Sequence, residues 1–80
     1  MYTVIFSENG RSDVIELRRS SACIILSWIS EYLEGCNNPR VRGRSLTGEV
    51  NHWRYKIGKY RVLAEIEEDE IVILAITRER

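Results

Sequence analysis

The chain has 80 residues, 12 basic and 12 acidic side chains, a formal net charge of zero and 44% hydrophobic residues. This composition is typical of a folded chain and excludes a disordered one, and the length predicts a single domain over residues 1–80. The apolar runs are too short to span a bilayer, and the N-terminus has no basic segment followed by a long apolar run. We therefore expect a cytoplasmic protein with no membrane role.

Cysteine and histidine are too few for a disulfide framework or a zinc site. The chain has two cysteines, Cys23 and Cys36, and one histidine, His52. Cys23 lies in an apolar helical run, where we expect a reduced core residue, and Cys36 follows a glycine in a loop. We expect neither a metal nor a cofactor.

The first half of the chain predicts one strand and two helices. The β-branched run Tyr2–Phe6 favours a strand, and Ser7 is the predicted cap of a helix from Glu8 to Arg18. A second helix, capped by Ser20 or Ser21, carries apolar residues at the spacing of a buried stripe: Ile25, Trp28, Ile29, Tyr32 and Leu33. Residues 37–50 read as a loop with alternating arginines.

The second half predicts three strands. Residues 52–57 and 60–67 flank Gly58-Lys59, which suits a type II′ hairpin turn, and residues 70–77 follow a second tight turn. The order is β-α-α-β-β-β. It predicts an α+β fold in which two helices pack on one face of a mainly antiparallel four-stranded sheet.

Charge is segregated along the chain. Between Arg40 and Arg61 there are seven cations and one acid, whereas residues 62–70 carry five acids and no base. A local cluster of positive charge attracts polyanions even when the net charge of the chain is zero. The zero net charge counts against strong non-specific binding of nucleic acid.

The two-residue turn fixes the hairpin register and places cations on the sheet face away from the helices. Lys56 then lies opposite Arg61, and Arg54 opposite Leu63. The same register, continued across the second turn, pairs Lys59 with Arg78 and brings Arg78 to the edge of this face. The cations surround a predicted apolar floor of Leu63, Val72, Leu74 and Ile76.

Like charges that face each other destabilise a strand pair, so packing does not account for Lys56 opposite Arg61. A cluster of this kind suits a phosphodiester, because it can orient the phosphate and stabilise the added negative charge of the transition state. The alternative is a solvated surface neutralised by Glu65 and Glu67. Exposed aliphatic residues on the same face favour a partner, unless the chain itself covers them.

Other catalytic motifs are missing. The single histidine has no evident carboxylate partner, and the sequence has no phosphate-binding loop or dinucleotide fingerprint.

Several short motifs together resemble the RelE/ParE toxin superfamily of type II toxin–antitoxin systems. They are Asn38-Pro39-Arg40, Leu46-Thr47-Gly48, Trp53-Arg54-Tyr55-Lys56, Gly58-Lys59-Tyr60-Arg61, the acidic turn Glu67–Glu70 and the strand Ile71–Ile76. The preceding β-α-α segment has the lengths of the family but few of its motifs.

The resemblance implies a toxin held inactive by a cognate RelB-like antitoxin in a hetero-oligomer. RelE-like members cleave mRNA in the ribosomal A site. Carried over by position, the catalytic residues are Arg54, Lys56 and Arg61, with Lys56 as general base or charge stabiliser. Arg78 or Arg80 replaces the late arginine of the family, and we assign Arg78 to the catalytic set. The implied RNA contacts are Arg40, Arg42, Arg44, Lys59 and Arg80, and the expected antitoxin contacts are Leu63, Val72, Leu74 and Ile76.

The C-terminal segment departs from the RelE pattern. The family usually continues past the last strand to a late aromatic residue, whereas this sequence ends at "ITRER". Two alternatives to mRNA cleavage therefore stay open: ParE-like inhibition of DNA gyrase, and a degenerate toxin that only binds its antitoxin.

Overall fold

The computed structural model describes residues 1–48 and 50–79. Two helices follow the first strand, and four strands follow the helices. The elements are β1 (Thr3–Phe6), α1 (Glu8–Glu16), α2 (Arg19–Tyr32), β2 (Arg44–Ser45), β3 (His52–Ile57), β4 (Tyr60–Ile66) and β5 (Glu70–Arg78). Within the described ranges, no helix is long and apolar enough to cross a membrane.

The strands form one mixed sheet in the order β1-β5-β4-β3-β2. β1 pairs with β5 in parallel, and the other neighbouring pairs are antiparallel. The α+β fold is as predicted, but the sheet has five strands rather than four. The additional strand, β2, lies in the segment that we expected to be a loop.

α1 is fixed against β5 by its first turn. The Ser7 hydroxyl accepts a hydrogen bond from the Gly10 backbone N–H at 2.9 Å, which confirms Ser7 as the helix cap. Gly10 is the buried residue of α1, and a Cβ there would overlap the Ile73 carbonyl oxygen. The helix therefore needs glycine to approach β5 closely. It ends at Glu16, two residues before the predicted end.

α2 supplies the helical side of the core. Ile25, Ile29 and Leu33 are buried, as the predicted stripe requires, against sheet residues that include Tyr55 and Val62. Two predictions for this helix are wrong. Its cap residue is Arg18, which makes no side-chain capping bond, instead of Ser20 or Ser21. Cys23 is exposed because it lies on the solvent side of α2, away from the buried stripe.

The β3–β4 hairpin has the predicted register. Ile57 pairs with Tyr60, Tyr55 with Val62, and Trp53 with Ala64. Gly58 has φ +59°, while the described non-glycine residues with positive φ do not include Lys59. A positive φ at the first turn position alone is the type II′ pattern. The inward residues Tyr55, Ile57 and Val62 are buried against the helices.

A β-bulge changes the register between β4 and β5. Ile66 pairs with Ile71 as predicted, but the register shifts between Leu63 and Ala64, whose partners are Ala75 and Ile73. Leu74 is thus an additional residue in β5. Because a shift of one residue turns every later side chain to the opposite face, the predicted pairing of Lys59 with Arg78 is wrong. Arg78 pairs with Tyr60 instead.

Candidate functional site

Two pairs of cations face each other on the outer side of the sheet, away from the helices. Lys56 on β3 lies opposite Arg61 on β4, as predicted. Arg44 on β2 lies opposite Arg54 on β3, a pair that appears only once residues 44–45 are recognised as a strand. Each such pair destabilises the sheet by about 0.2–1 kcal/mol. The pairing of the strands gains nothing from either pair.

The cations line one surface cleft of about 430 Å³. The cleft is also lined by α2, by the loop before β2 and by the residue that follows β5. The lining residues are Trp28, Arg42, Gly43, Arg44, Arg54, Lys56, Arg61 and Glu79. Sequence reasoning assigned all five of these cations to the site, and the fold brings them together. Among the described residues, the cleft thus combines five positive charges with one indole and one carboxylate.

The segment that carries Arg42 and Arg44 is fastened to β3. The buried Tyr55 hydroxyl donates to the Pro39 carbonyl at 2.7 Å, and the Trp53 indole N–H donates to the Arg42 carbonyl. Gly43 has φ +79°, and a Cβ there would overlap the Arg54 carbonyl oxygen. Glycine therefore allows the segment to lie directly against β3.

Arg42 is held by an aromatic ring. Its guanidinium carbon lies 4.2 Å from the centroid of the Tyr32 ring, which is within the range of a cation–π interaction. Tyr32 in turn contacts Trp28, with ring centroids 5.1 Å apart, and Trp28 contacts Tyr55. Tyr32 is exposed, so this part of the predicted buried stripe supports Arg42 instead of the core.

Glu79 brings a carboxylate to the Lys56–Arg61 pair. Its Oε2 is 3.4 Å from the Lys56 Nζ, and its Oε1 is 3.7 Å from Arg61 Nη2. The Glu79 backbone N–H donates to the Lys59 carbonyl at 2.6 Å, which continues the pairing of β5 with the hairpin. The bulge at Leu74 is the reason that Glu79, and not Arg78, lies over the cation pair.

The remaining predicted cations lie away from the centre of the cleft. Arg78 and Lys59 line a depression at the hairpin end, which Lys56 and Glu79 also border. Arg40 is exposed in the loop after Pro39, where its backbone N–H donates to the Asn38 side chain. Arg80 lies outside the described residues.

The predicted apolar floor is only partly correct. Leu63, Val72 and Leu74 are half-buried, but Ile76 pairs with the inward-facing Val62 and is 7% exposed within the core. The bulge turned Ile76 to the helix side, so the prediction that it lies on the outer face is wrong. Glu65 is also not beside the cation pairs, because it lies opposite His52, 3.9 Å from its Nε2.

Sequence reasoning missed Glu79 and the strand position of Arg44. The signal for Arg44 was weak, since a two-residue strand has no periodicity to detect. Glu79 could be found only by predicting the bulge, because an unbroken register puts Arg78 in its place. Chemically, the cleft can bind an anion and stabilise charge that develops on it, with arginine forks and one lysine as donors.

Comparison with known proteins gives the family. Residues 4–80 match the sequence model described as ParE toxin of type II toxin–antitoxin system, parDE. No curated protein sequence matches the chain.

Solved structures with the same fold include toxins of both the RelE and the ParE kind. The RelBE2 toxin–antitoxin complex from Mycobacterium tuberculosis is 24% identical, with TM-score 0.80 and 98% of each chain covered. The isolated E. coli RelE toxin is 18% identical, with TM-score 0.80, 100% of this chain and 86% of that chain covered. A chain of the chromosomal ParDE system from P. aeruginosa is 12% identical, with TM-score 0.69, 100% of this chain and 98% of that chain covered.

The structural matches lie below 25% identity and establish the fold, whereas the family match spans nearly the whole sequence. The chain therefore belongs to the ParE toxin family of type II toxin–antitoxin systems, within the RelE/ParE superfamily.

Proposed function

We propose that this toxin is a ribosome-dependent endoribonuclease that cleaves mRNA in the ribosomal A site. The observation that supports the proposal is that one cleft contains two cation pairs, Lys56–Arg61 and Arg44–Arg54, in each of which the two cations face each other. Such an arrangement weakens the sheet, and Glu79 neutralises only part of the Lys56–Arg61 pair. A phosphate bound between the charges would make the arrangement favourable.

The proposed reaction is attack of a ribose 2′-hydroxyl on the neighbouring phosphate. The new bond joins the 2′-oxygen to phosphorus, and the bond from phosphorus to the 5′-oxygen of the next nucleotide breaks. Water accepts the proton of the 2′-hydroxyl, and water also donates the proton that the departing 5′-oxygen gains. Arg54 and Arg61 bind the phosphate, and Lys56 stabilises the charge that accumulates on its oxygens.

The cations around this centre suit ribosomal RNA. Arg42 and Arg44 line the same cleft, and Lys59 and Arg78 lie at the hairpin end. We infer that these residues, together with Arg40 and Arg80, contact phosphates and orient the toxin, because such contacts position a protein without reading sequence. A ribosome-bound target also places the proposed activity in the cytoplasm.

A cognate antitoxin is the proposed partner in a hetero-oligomer. The similar structures include complexes titled as toxin with antitoxin, from Mycobacterium tuberculosis and from E. coli. A segment rich in acidic and aliphatic residues suits the cation cleft and the half-buried residues beside it, Leu63, Val72 and Leu74. Binding there would neutralise the cations that the reaction needs.

Inhibition of DNA gyrase is the second candidate. The match to the ParE family over residues 4–80 favours it, because ParE-like toxins act on gyrase and do not use the cations for catalysis. Glu79 also favours it, since the carboxylate already neutralises part of the Lys56–Arg61 pair.

Induced expression distinguishes the candidates. The protein and its Arg61→Ala variant are expressed in bacteria while growth and RNA and DNA damage are followed. The nuclease proposal expects growth arrest with mRNA cleavage, and expects Arg61→Ala to lose both while it accumulates as a folded protein. Growth arrest with gyrase-dependent DNA breaks and intact mRNA would assign the second candidate. Full toxicity of Arg61→Ala would overturn the proposed site.

Arg11→Ala is the matched control, because it removes the same charge from an exposed position on α1. We expect this variant to be as toxic as the unmodified chain.

A further inference from the structure

The Glu79 carboxylate lies where an anionic ligand of the Lys56–Arg61 pair would lie. Each of its oxygens faces a different cation, at 3.4 Å from Lys56 Nζ and 3.7 Å from Arg61 Nη2. The two non-bridging oxygens of a phosphodiester would contact the two cations in the same way. A phosphate cannot take this position while the carboxylate stays in it.

The contacts of the Glu79 carboxylate are weak, although its side chain is only 30% exposed. Glu79 Oε2 is shielded from solvent and has no hydrogen-bond partner among the described residues, although it lies near Lys56. The cation side chains remain 68% and 44% exposed, and ion pairs of this exposure contribute little. An oxygen that has lost its hydration without gaining a hydrogen bond is unfavourable, so a ligand that displaces the carboxylate has to replace only the two weak ion pairs.

The main chain of Glu79 is fixed more firmly than its side chain. Its backbone N–H donates to the Lys59 carbonyl beside the hairpin turn. A rotation of the side chain alone therefore suffices to empty the position, and no strand needs to separate. The carboxylate can leave and return without a change in the sheet.

We propose that the Glu79 carboxylate is a built-in competitor for the substrate phosphate and determines the affinity of the cleft for phosphodiesters. The proposal rests on the proposed phosphate site and adds the residue that opposes binding there. Every phosphate that binds here must displace the carboxylate. A free phosphate or a mobile RNA has few other contacts to offset that cost, whereas a phosphate held in place by many other contacts can offset it. Glu79 would thus favour RNA fixed on the ribosome over RNA in solution.

The test measures binding without cleavage. A dinucleotide that has one phosphodiester and a 2′-O-methyl group lacks the attacking hydroxyl, so it reports affinity alone. It is titrated into the 15N-labelled protein and into Glu79→Gln, and the backbone amide signals of the hairpin are followed. Glutamine keeps the size of the side chain and removes its charge, and the spectrum of each variant shows whether it is folded.

We expect Glu79→Gln to bind the dinucleotide about five- to tenfold more tightly, since it removes two weak ion pairs and one negative charge from the binding position. The control is Glu67→Gln, an equal loss of charge in the exposed β4–β5 turn, roughly 20 Å along β4 from Arg61. We expect this control to bind like the unmodified chain.

Equal or weaker binding by Glu79→Gln would overturn the inference, as would a failure of both proteins to bind. A cleavage assay separates this result from the proposed function. If Glu79→Gln binds more tightly but neither protein cuts ribosome-bound mRNA, then the nuclease proposal is wrong and the competitor role of Glu79 stands. If the unmodified chain cuts mRNA and Glu79→Gln binds no better, only the competitor role is wrong.

Discussion

The Tyr55 hydroxyl donates a hydrogen bond to the Pro39 carbonyl at 2.7 Å, and both residues are buried. Tyr55 lies between Arg54 and Lys56 on β3, while Pro39 begins the segment that carries Arg42 and Arg44 to the cleft. One hydrogen bond in the core thus connects the two chain segments that supply the cations. It ties the geometry of the cleft to the stability of the fold.

Loss of this hydrogen bond should weaken the fold. We expect Tyr55→Phe to lower the free energy of unfolding by about 1–3 kcal/mol, because the buried Pro39 carbonyl would be left without its donor. Urea denaturation measures the effect. Tyr32→Phe is the control, since it removes a hydroxyl from an exposed ring and keeps the ring under Arg42. A loss as large in Tyr32→Phe as in Tyr55→Phe would contradict the assignment.

Tyr55 should also make the stability of the fold depend on pH in the alkaline range. Burial raises the pKa of the Tyr55 phenol above its usual value of 10. Above about pH 10 the unfolded chain releases this proton and the folded chain retains it, so the free energy of unfolding falls as the pH rises. The free energy of unfolding falls by at most about 1.4 kcal/mol for each pH unit, because a single proton is involved.

Denaturation of the unmodified chain and of Tyr55→Phe between pH 9 and 11 isolates this contribution. We expect the variant to lose less stability over that range, because phenylalanine has no proton to release. Parallel curves for the two proteins would show that Tyr55 does not titrate differently in the folded state.

Gly10 tests how closely α1 approaches β5. Helix propensity alone favours Gly10→Ala by about 1 kcal/mol. We expect the opposite sign, a destabilisation of about 1–3 kcal/mol, because the new Cβ would overlap the Ile73 carbonyl oxygen and force the helix outward. Thermal or urea unfolding gives the sign directly. Ser12→Ala, at an exposed position of the same helix, should change stability by less than about 0.5 kcal/mol.

The two cysteines should differ in reactivity. Cys23 is exposed on α2, whereas Cys36 is half-buried and burial raises the pKa of its thiol. Because the thiolate is the reactive form, we expect one fast and one slow phase with an aromatic disulfide reagent in the native protein at pH 8. Cys23→Ser should remove the fast phase and Cys36→Ser the slow one. The reverse assignment would place Cys23 in the core, as its apolar sequence context first indicated.

The parts of the fold that short-range rules determine were predictable. Gly58-Lys59 determined the register of β3 with β4, and that register alone put Lys56 opposite Arg61. Ser7 marked the start of α1 because its capping bond is local. The stripe Ile25, Ile29 and Leu33 faced the core because helical period and burial agree.

The unpredicted parts depend on contacts between distant segments. The bulge at Leu74 has no clear local sequence signal, yet it turns Ile76 inward and exchanges Arg78 for Glu79 over the cation pair. β2 is only two residues long and exists because Gly43 lets its segment lie against β3. Cys23 shows that an apolar neighbourhood in sequence does not decide which side of a helix faces the sheet.

Cleavage of mRNA on a ribosome with a defined codon in an empty A site, mapped by primer extension, tests the central claim most directly. We predict a cut within that codon that requires the ribosome, is lost in Arg61→Ala and persists in Arg11→Ala. An intact message in the presence of the folded, unmodified chain would contradict the account, and so would a cut that Arg61→Ala makes equally well.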